Sequence, residues 1–156
     1  MAATAGNGAT IDVLTTLCRR ELAFVESYRQ ALNALSLREH SAELATCLRS
    51  HEQRAELLKT RLRALHAEPP ASAGVLGAVA KLLEGAAAAI GEKAGIMALE
   101  EEEDRGLKGY RANFEKMDAE TQSLINRELL PAQFETHRIV SELRRSKGER
   151  HAPAPQ

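Results

Sequence analysis

The sequence predicts an all-α fold: a four-helix bundle of two similar helix hairpins joined by a long crossover that carries a short helix. Three observations predict it. The 156 residues are rich in Ala, Leu, Glu and Arg and only 3% aromatic, a mixture that favours helix over strand. Apolar residues recur at three-four spacing in four separate stretches. The polar residues that interrupt those stretches repeat between the two halves of the chain.

The first stripe runs Leu14, Leu17, Glu21, Phe24/Val25, Tyr28, Leu32 and Leu35, with Thr10 as a plausible N-cap and residues 1–9 as a flexible lead. Ser36–His40 breaks the pattern. Ser41 is placed to cap a second helix whose seam reads Leu44, Leu48, His51, Ala55, Leu58, Leu62 and Leu65. Glu68-Pro69-Pro70 ends that helix. The crossover, Ala71–Glu92, has its own apolar pattern at Val75, Leu76, Val79, Leu82 and Leu83, which predicts the short helix.

A third main helix is predicted from Lys93 to Met117, with Ile96, Leu99, Glu103, Leu107, Tyr110, Phe114 and Met117 on one face. Asp118 reads as the N-cap of a fourth that ends near Lys147. Its expected face is Leu124, Leu130, Phe134, His137 and Val140, and Pro131 is expected to kink or split it. The chain thus divides into residues 1–9, one bundle domain over 10–147, and a disordered tail over 148–156.

The halves match in their polar residues. Glu21-x6-Tyr28-Arg29 corresponds to Glu103-x6-Tyr110-Arg111 at an offset of 82 residues. His51-x4-Glu56-Leu57 corresponds to His137-x4-Glu142-Leu143 at an offset of 86. A crossover of this length lets the second and third helices run parallel, the layout of bundles with one long connection.

Composition narrows the function classes. The net charge is −1, from 21 basic and 22 acidic residues, so total charge supports neither a nucleic-acid nor a membrane partner. The acidic run Glu100–Asp104 and the basic run Arg144–Lys147 read as solvated helix surface. Cys18 and Cys47 form no framework and no Cys-x-x-Cys pair. The first ten residues have no signal-peptide pattern, and the most apolar stretch, Val75–Ile90, is too short to span a bilayer. A cytoplasmic setting is expected. No glycine-rich phosphate loop or nucleophile-elbow motif occurs.

Four polar residues fall on the apolar stripes: Glu21, His51, Glu103 and His137. A buried carboxylate needs a cation, a hydrogen-bond donor or a metal. Two Glu and two His from four helices are suitable ligand types for iron, manganese or zinc. Hydrogen-bonded buried acids are the competing reading, with Tyr28, Tyr110, Glu56 and Gln133 as supporting residues. Axial height argues against a shared metal. A hairpin turn near residues 38–39 puts Glu21 opposite residue 56, and His51 roughly 7–8 Å further along the axis. A turn near residue 118 puts Glu103 opposite Gln133, with His137 about a turn away. His40, His66 and His151 read as loop and tail residues. His51-x-x-Arg54-Ala55 loosely matches the pattern of helical phosphotransfer domains, which need an exposed His.

The chain resembles a family of small bacterial ferritin-like proteins often described only as a domain of unknown function. The resemblance runs from Ile11 to Arg144. It is carried by Glu103-Asp104 with Leu107-Lys108-Gly109-Tyr110-Arg111, by Gln53-Arg54-Ala55-Glu56-Leu57, by Pro70, Ser72 and Gly74, and by His137-x-x-Val140-x-x-Leu143. It implies a ferritin-like bundle with a crossover helix and no established activity. Relatives often carry a Trp in the crossover, and this chain has none. Ferritin-like relatives bind two metals through Glu residues and two Glu-x-x-His pairs. Only Glu21 and Glu103 carry over, because Leu48 and Phe134 stand three before the histidines. The expectation is a ferritin-like bundle protein, stress-related, more non-enzyme than enzyme, with at most a reduced metal site and a homodimer through helix faces. The alternatives are a non-enzymatic interaction module and a phosphotransfer bundle using His51.

Overall fold

The four stripes lay down four long helices. The computed structural model describes residues 2–74 and 91–149, and every regular element among them is helical. Helix α1 is Ala2–Asn33, and a 3-10 segment, Leu35–His40, leads into α2, Ser41–Ala64. Helix α3 is Glu92–Arg111, followed by a 3-10 turn at Phe114–Lys116. The fourth helix, α4, comprises Ala119–Leu124, a π-helical turn Ile125–Leu129, and Leu130–Glu149. The crossover helix expected from Val75 onward and the tail from residue 150 lie outside the described residues. No helix among the described residues is long and apolar enough to cross a membrane.

Contacts at the helix ends fix the directions. The Arg61 guanidinium, near the end of α2, donates to Asp118 at 2.9 and 3.0 Å. The Asp118 backbone N–H donates to Thr10 Oγ1 at 2.9 Å, which brings the early part of α1 to the same end. At the opposite end His40, just before α2, bonds Glu92, the first residue of α3, at 2.6 Å. Helices α2 and α3 therefore start together and run parallel. Helix α2 is 24 residues long. The end of α2 and the start of α3 therefore lie at opposite ends of the bundle, about 36 Å apart.

Several boundaries differ from the sequence reading. Thr10 is no N-cap, because α1 begins eight residues earlier and buries the Thr10 side chain. Ser41 is no cap either: α2 runs on from the 3-10 segment, and Ser41 Oγ donates back to Arg38 O at 2.6 Å. Helix α2 stops before its prolines. His66 takes φ 58°, Ala67 N–H bonds Leu62 O and His66 N–H bonds Arg63 O. This paired closure satisfies the last carbonyls. Helix α3 ends at Arg111, six residues short of Met117, where Asn113 turns left-handed at φ 58°. Asp118 does cap α4, its carboxylate accepting from Thr121 N–H at 2.7 Å.

The face of α4 is corrected. Its core residues are Thr121, Ile125, Leu129, Gln133, Thr136, Val140 and Leu143. Phe134 is 45% exposed, and Leu124 and Leu130 are half-buried. The π turn lies just before Pro131. A proline has no N–H, and its ring crowds the carbonyl four residues back, here that of Arg127. The chain widens instead, and Leu130 N–H reaches Ile125 O, five residues back.

The apolar core is in two parts. One gathers Phe24, Ala31, Leu37, Leu44, Ile96, Leu99 and Val140. The other gathers Leu14, Leu17, Leu58, Leu62, Ile125 and Leu129. Along each helix a polar segment separates the two: Glu21 on α1, His51 and Arg54 on α2, Glu103 on α3, Gln133 and Thr136 on α4.

Candidate functional site: a buried polar layer

That layer is built by i, i+3 geometry. Residues three apart share a helix face, so His51 and Arg54 project together from α2, and Gln133 and Thr136 from α4. Glu21 and Glu103 complete the layer from α1 and α3. All six are at most 1% exposed.

His51 lies between the two acids. Its Nδ1 is 2.8 Å from Glu21 Oε2 and its Nε2 is 3.0 Å from Glu103 Oε1. Carboxylates accept and do not donate, so a ring that faces one at each nitrogen donates from both and is cationic. The ring stacks on Phe24 at 4.1 Å between centroids and 14° between planes. Arg54 supplies the second cation. Its guanidinium donates to Gln133 Oε1 and, at 3.2 Å, to Thr136 Oγ1, and lies 3.5 Å from Glu21 Oε1. Its Nη2 is also 2.9 Å from His51 Nδ1. Reading that contact as a hydrogen bond to a neutral ring would leave Glu21 Oε2 facing a nitrogen lone pair. The doubly donating ring satisfies both carboxylates and gives the layer two positive and two negative groups, and the facing Glu21 and Glu103 offset the repulsion between the ring and the Arg54 Nη2, which lies 2.9 Å from Nδ1 and 3.3 Å from Nε2.

Glu103 accepts from four side chains: Tyr28 OH at 2.6 Å, His51, Gln133 Nε2 at 2.6 Å and Thr136 Oγ1 at 2.8 Å. Glu21 accepts from Tyr110 OH at 2.6 Å as well as from His51. Each tyrosine thus bonds the acid of the other hairpin. Gly106 makes room for Gln133, since a Cβ there would lie 2.5 Å from its Nε2.

The charges respond as the geometry requires. Burial alone would raise the Glu21 carboxyl. The Arg54 guanidinium, His51 and the Tyr110 hydroxyl outweigh it and hold the group below the usual carboxylate range. Burial pushes the hydroxyls of Tyr28 and Tyr110 well up, and the facing Glu103 and Glu21 push them further. Burial opposes the charge on Arg54, and Glu21 more than restores it.

Next to the layer, Glu102 is also buried. Its Oε1 accepts from Ser27 Oγ at 3.3 Å, and its Oε2 has no hydrogen-bond partner. Burial pushes this carboxyl up to about 7, against the pull of Ser27 and His51.

Of the residues predicted for the site, Glu21, Glu103, His51, Tyr28, Tyr110 and Gln133 come together. His137 does not. It sits on the outer face of α4, 2.8 Å from Asp104, with a side chain 27% exposed. The structural counterpart of His51 is Gln133, and that of Arg54 is Thr136, both at the same offset of 82 that relates the acids and tyrosines. The offset of 86 is one helical turn out of register. Glu56 is likewise outside the layer, 63% exposed at its side chain and paired with Lys59. His40, read as a loop residue, is buried against Glu92.

The axial objection to His51 meeting Glu21 also fails. Those two bond directly, so the first hairpin turns nearer residue 36 than residues 38–39. The 3-10 segment at Leu35–His40 accounts for part of the difference, because it rises about 2.0 Å per residue. Glu103 does lie opposite Gln133, as its hairpin predicts. Arg54 and Thr136 were missed, although each stands three residues from a layer residue on the same face.

Among the described residues no group of three or more His, Cys, Asp and Glu side chains is arranged to hold a metal ion. The groove lined by Glu100, Phe134, His137, Arg138, Ser141, Arg144 and Arg145 shares no residue with the layer. No family model, curated protein or solved structure matches the chain.

Proposed function

We propose that the chain is a ferritin-like helical bundle protein that acts as a non-enzymatic interaction module, its polar layer serving the fold and not a reaction. The ferritin-like reading is supported by the parallel α2 and α3 with one long connection, and by acids on α1 and α3 that meet i, i+3 pairs on α2 and α4. The non-enzymatic reading rests on one observation: Glu21, His51, Glu103, Tyr28, Tyr110 and Gln133 are each at most 1% exposed. A substrate cannot reach the atoms of these six residues. The same burial weighs against the phosphotransfer reading, because His51 is fully enclosed with both nitrogens engaged. For contact between helix faces, Phe134 and Met97 are the exposed large apolar side chains among the described residues, Phe134 45% exposed with the Arg111 guanidinium 5.3 Å above its ring.

The test is turnover. Purified protein incubated with ferrous iron, with and without peroxide, is expected to oxidise iron no faster than buffer. Oxidation that disappears in Glu21→Gln or Glu103→Gln would sink the proposal.

A further inference from the structure

On the ferritin-like reading, on which this inference rests, the six layer positions are those at which dimetal bundles hold their ions. Such bundles use one Glu from each of two helices and a Glu-x-x-His pair from each of the other two. Here the pairs read His51-x-x-Arg54 and Gln133-x-x-Thr136. This set does not fit a metal. Arg54 is a permanent cation with no lone pair to give, and it stands 3.5 Å from Glu21. His51 directs both nitrogens at carboxylates and keeps none for an ion. Gln133 and Thr136 spend their hydrogens on Glu103 Oε2.

We infer that Arg54 and His51 are the resident counter-cations of this bundle, standing where dimetal bundles hold their ions and tying the two hairpins through Glu21 and Glu103. Like a bridging metal, His51 touches an acid from each half. Arg54 crosses from the first hairpin to Gln133 and Thr136 of the second. The formal charge of the four groups sums to zero, so an added divalent ion would bring charge the layer has no use for.

Melting of the full chain tests this, with EDTA, zinc or manganese added to separate samples. The wild type is expected to melt at the same temperature in all of them. Arg54→Ala is expected to melt roughly 10 °C lower, because it leaves the buried acids short of one counter-charge. Glu21→Gln/Arg54→Ala removes one charge of each sign and is expected to melt above Arg54→Ala. Should Arg54→Ala not fold, a folded double variant supports the inference and an unfolded one overturns it. A wild-type shift with metal that Glu21→Gln/Glu103→Gln abolishes also overturns it. So does Arg54→Ala melting with the wild type, or a double variant no more stable than the single. None of these readouts depends on turnover, and iron oxidation that survives Glu21→Gln/Glu103→Gln would reject the non-enzymatic reading without deciding this inference.

Discussion

The Tyr28 hydroxyl donates to Glu103 across 75 residues of sequence, at 2.6 Å. Tyr110 returns the same bond to Glu21 at the same distance. The two acids are not equally provided for. Glu103 keeps three further donors when Tyr28 is removed, whereas Glu21 keeps only His51 and the longer Arg54 contact. A hydrogen bond to a buried charge contributes about 1.5–3 kcal/mol. Both Tyr28→Phe and Tyr110→Phe are expected to destabilise within that range, Tyr110→Phe by more. Urea unfolding of the two variants checks the order, and an equal or reversed loss rejects it.

Glu102 sets a pH dependence. Burial holds its folded-state carboxyl up at about 7, above the ordinary value of 4.5. The folded state then binds the proton more tightly, so this contribution is full below the ordinary value and is lost as pH rises through about 7. A shift of that size corresponds to on the order of 3 kcal/mol. Glu102→Gln keeps the shape and removes the charge. It is expected to stabilise the protein at pH about 8 and change little at pH about 4. Parallel pH–stability curves for variant and wild type would reject this.

Gly106 is a packing requirement of the layer. A methyl group there meets Gln133 Nε2 at 2.5 Å and Cδ at 2.8 Å, so Gln133 has to leave Glu103. Gly106→Ala is expected to cost about 1–3 kcal/mol. In Gly106→Ala/Gln133→Ala the clash is gone, and the double variant is expected to lose less than the sum of the singles. Additive losses would show that Gln133 moves aside freely.

The two thiols report on opening of the core. Burial pushes Cys18 up to about 11 and Cys47 up to about 12, so the reactive thiolate is scarce at neutral pH. Both residues are fully buried. Labelling by a maleimide is expected to follow the unfolding equilibrium, slowing as the protein is stabilised. Rapid labelling of folded protein would contradict this.

Three of the four helices could be read because their core faces are mostly Leu, Ile, Phe and Tyr at three-four spacing. Glu21 and Glu103 were visible as exceptions within those faces. Helix α4 misled for a physical reason. Its inward residues at the layer are Gln133 and Thr136, whereas Phe134 beside them faces outward. An apolar pattern alone therefore selects the wrong side, and with it His137. Arg54 was harder still. An arginine beside an apolar seam ordinarily extends to water, and its burial follows only once acids from other helices are known to meet it.

The π turn in α4 has a consequence for the repeat. Downstream of it the halves correspond at 82 residues, as His51 does with Gln133 and Arg54 with Thr136. Upstream, the inward Ile125 stands 81 residues from the inward Leu44. The second half thus accommodates one amino acid that the first lacks. The steps Thr121, Ile125, Leu129, Gln133 each advance four residues, and on a regular α-helix each would rotate the inward direction by about 40°. The broad turn at Ile125–Leu129 absorbs that rotation. The phase error is confined to one turn, and Gln133 and Thr136 still arrive opposite Glu103.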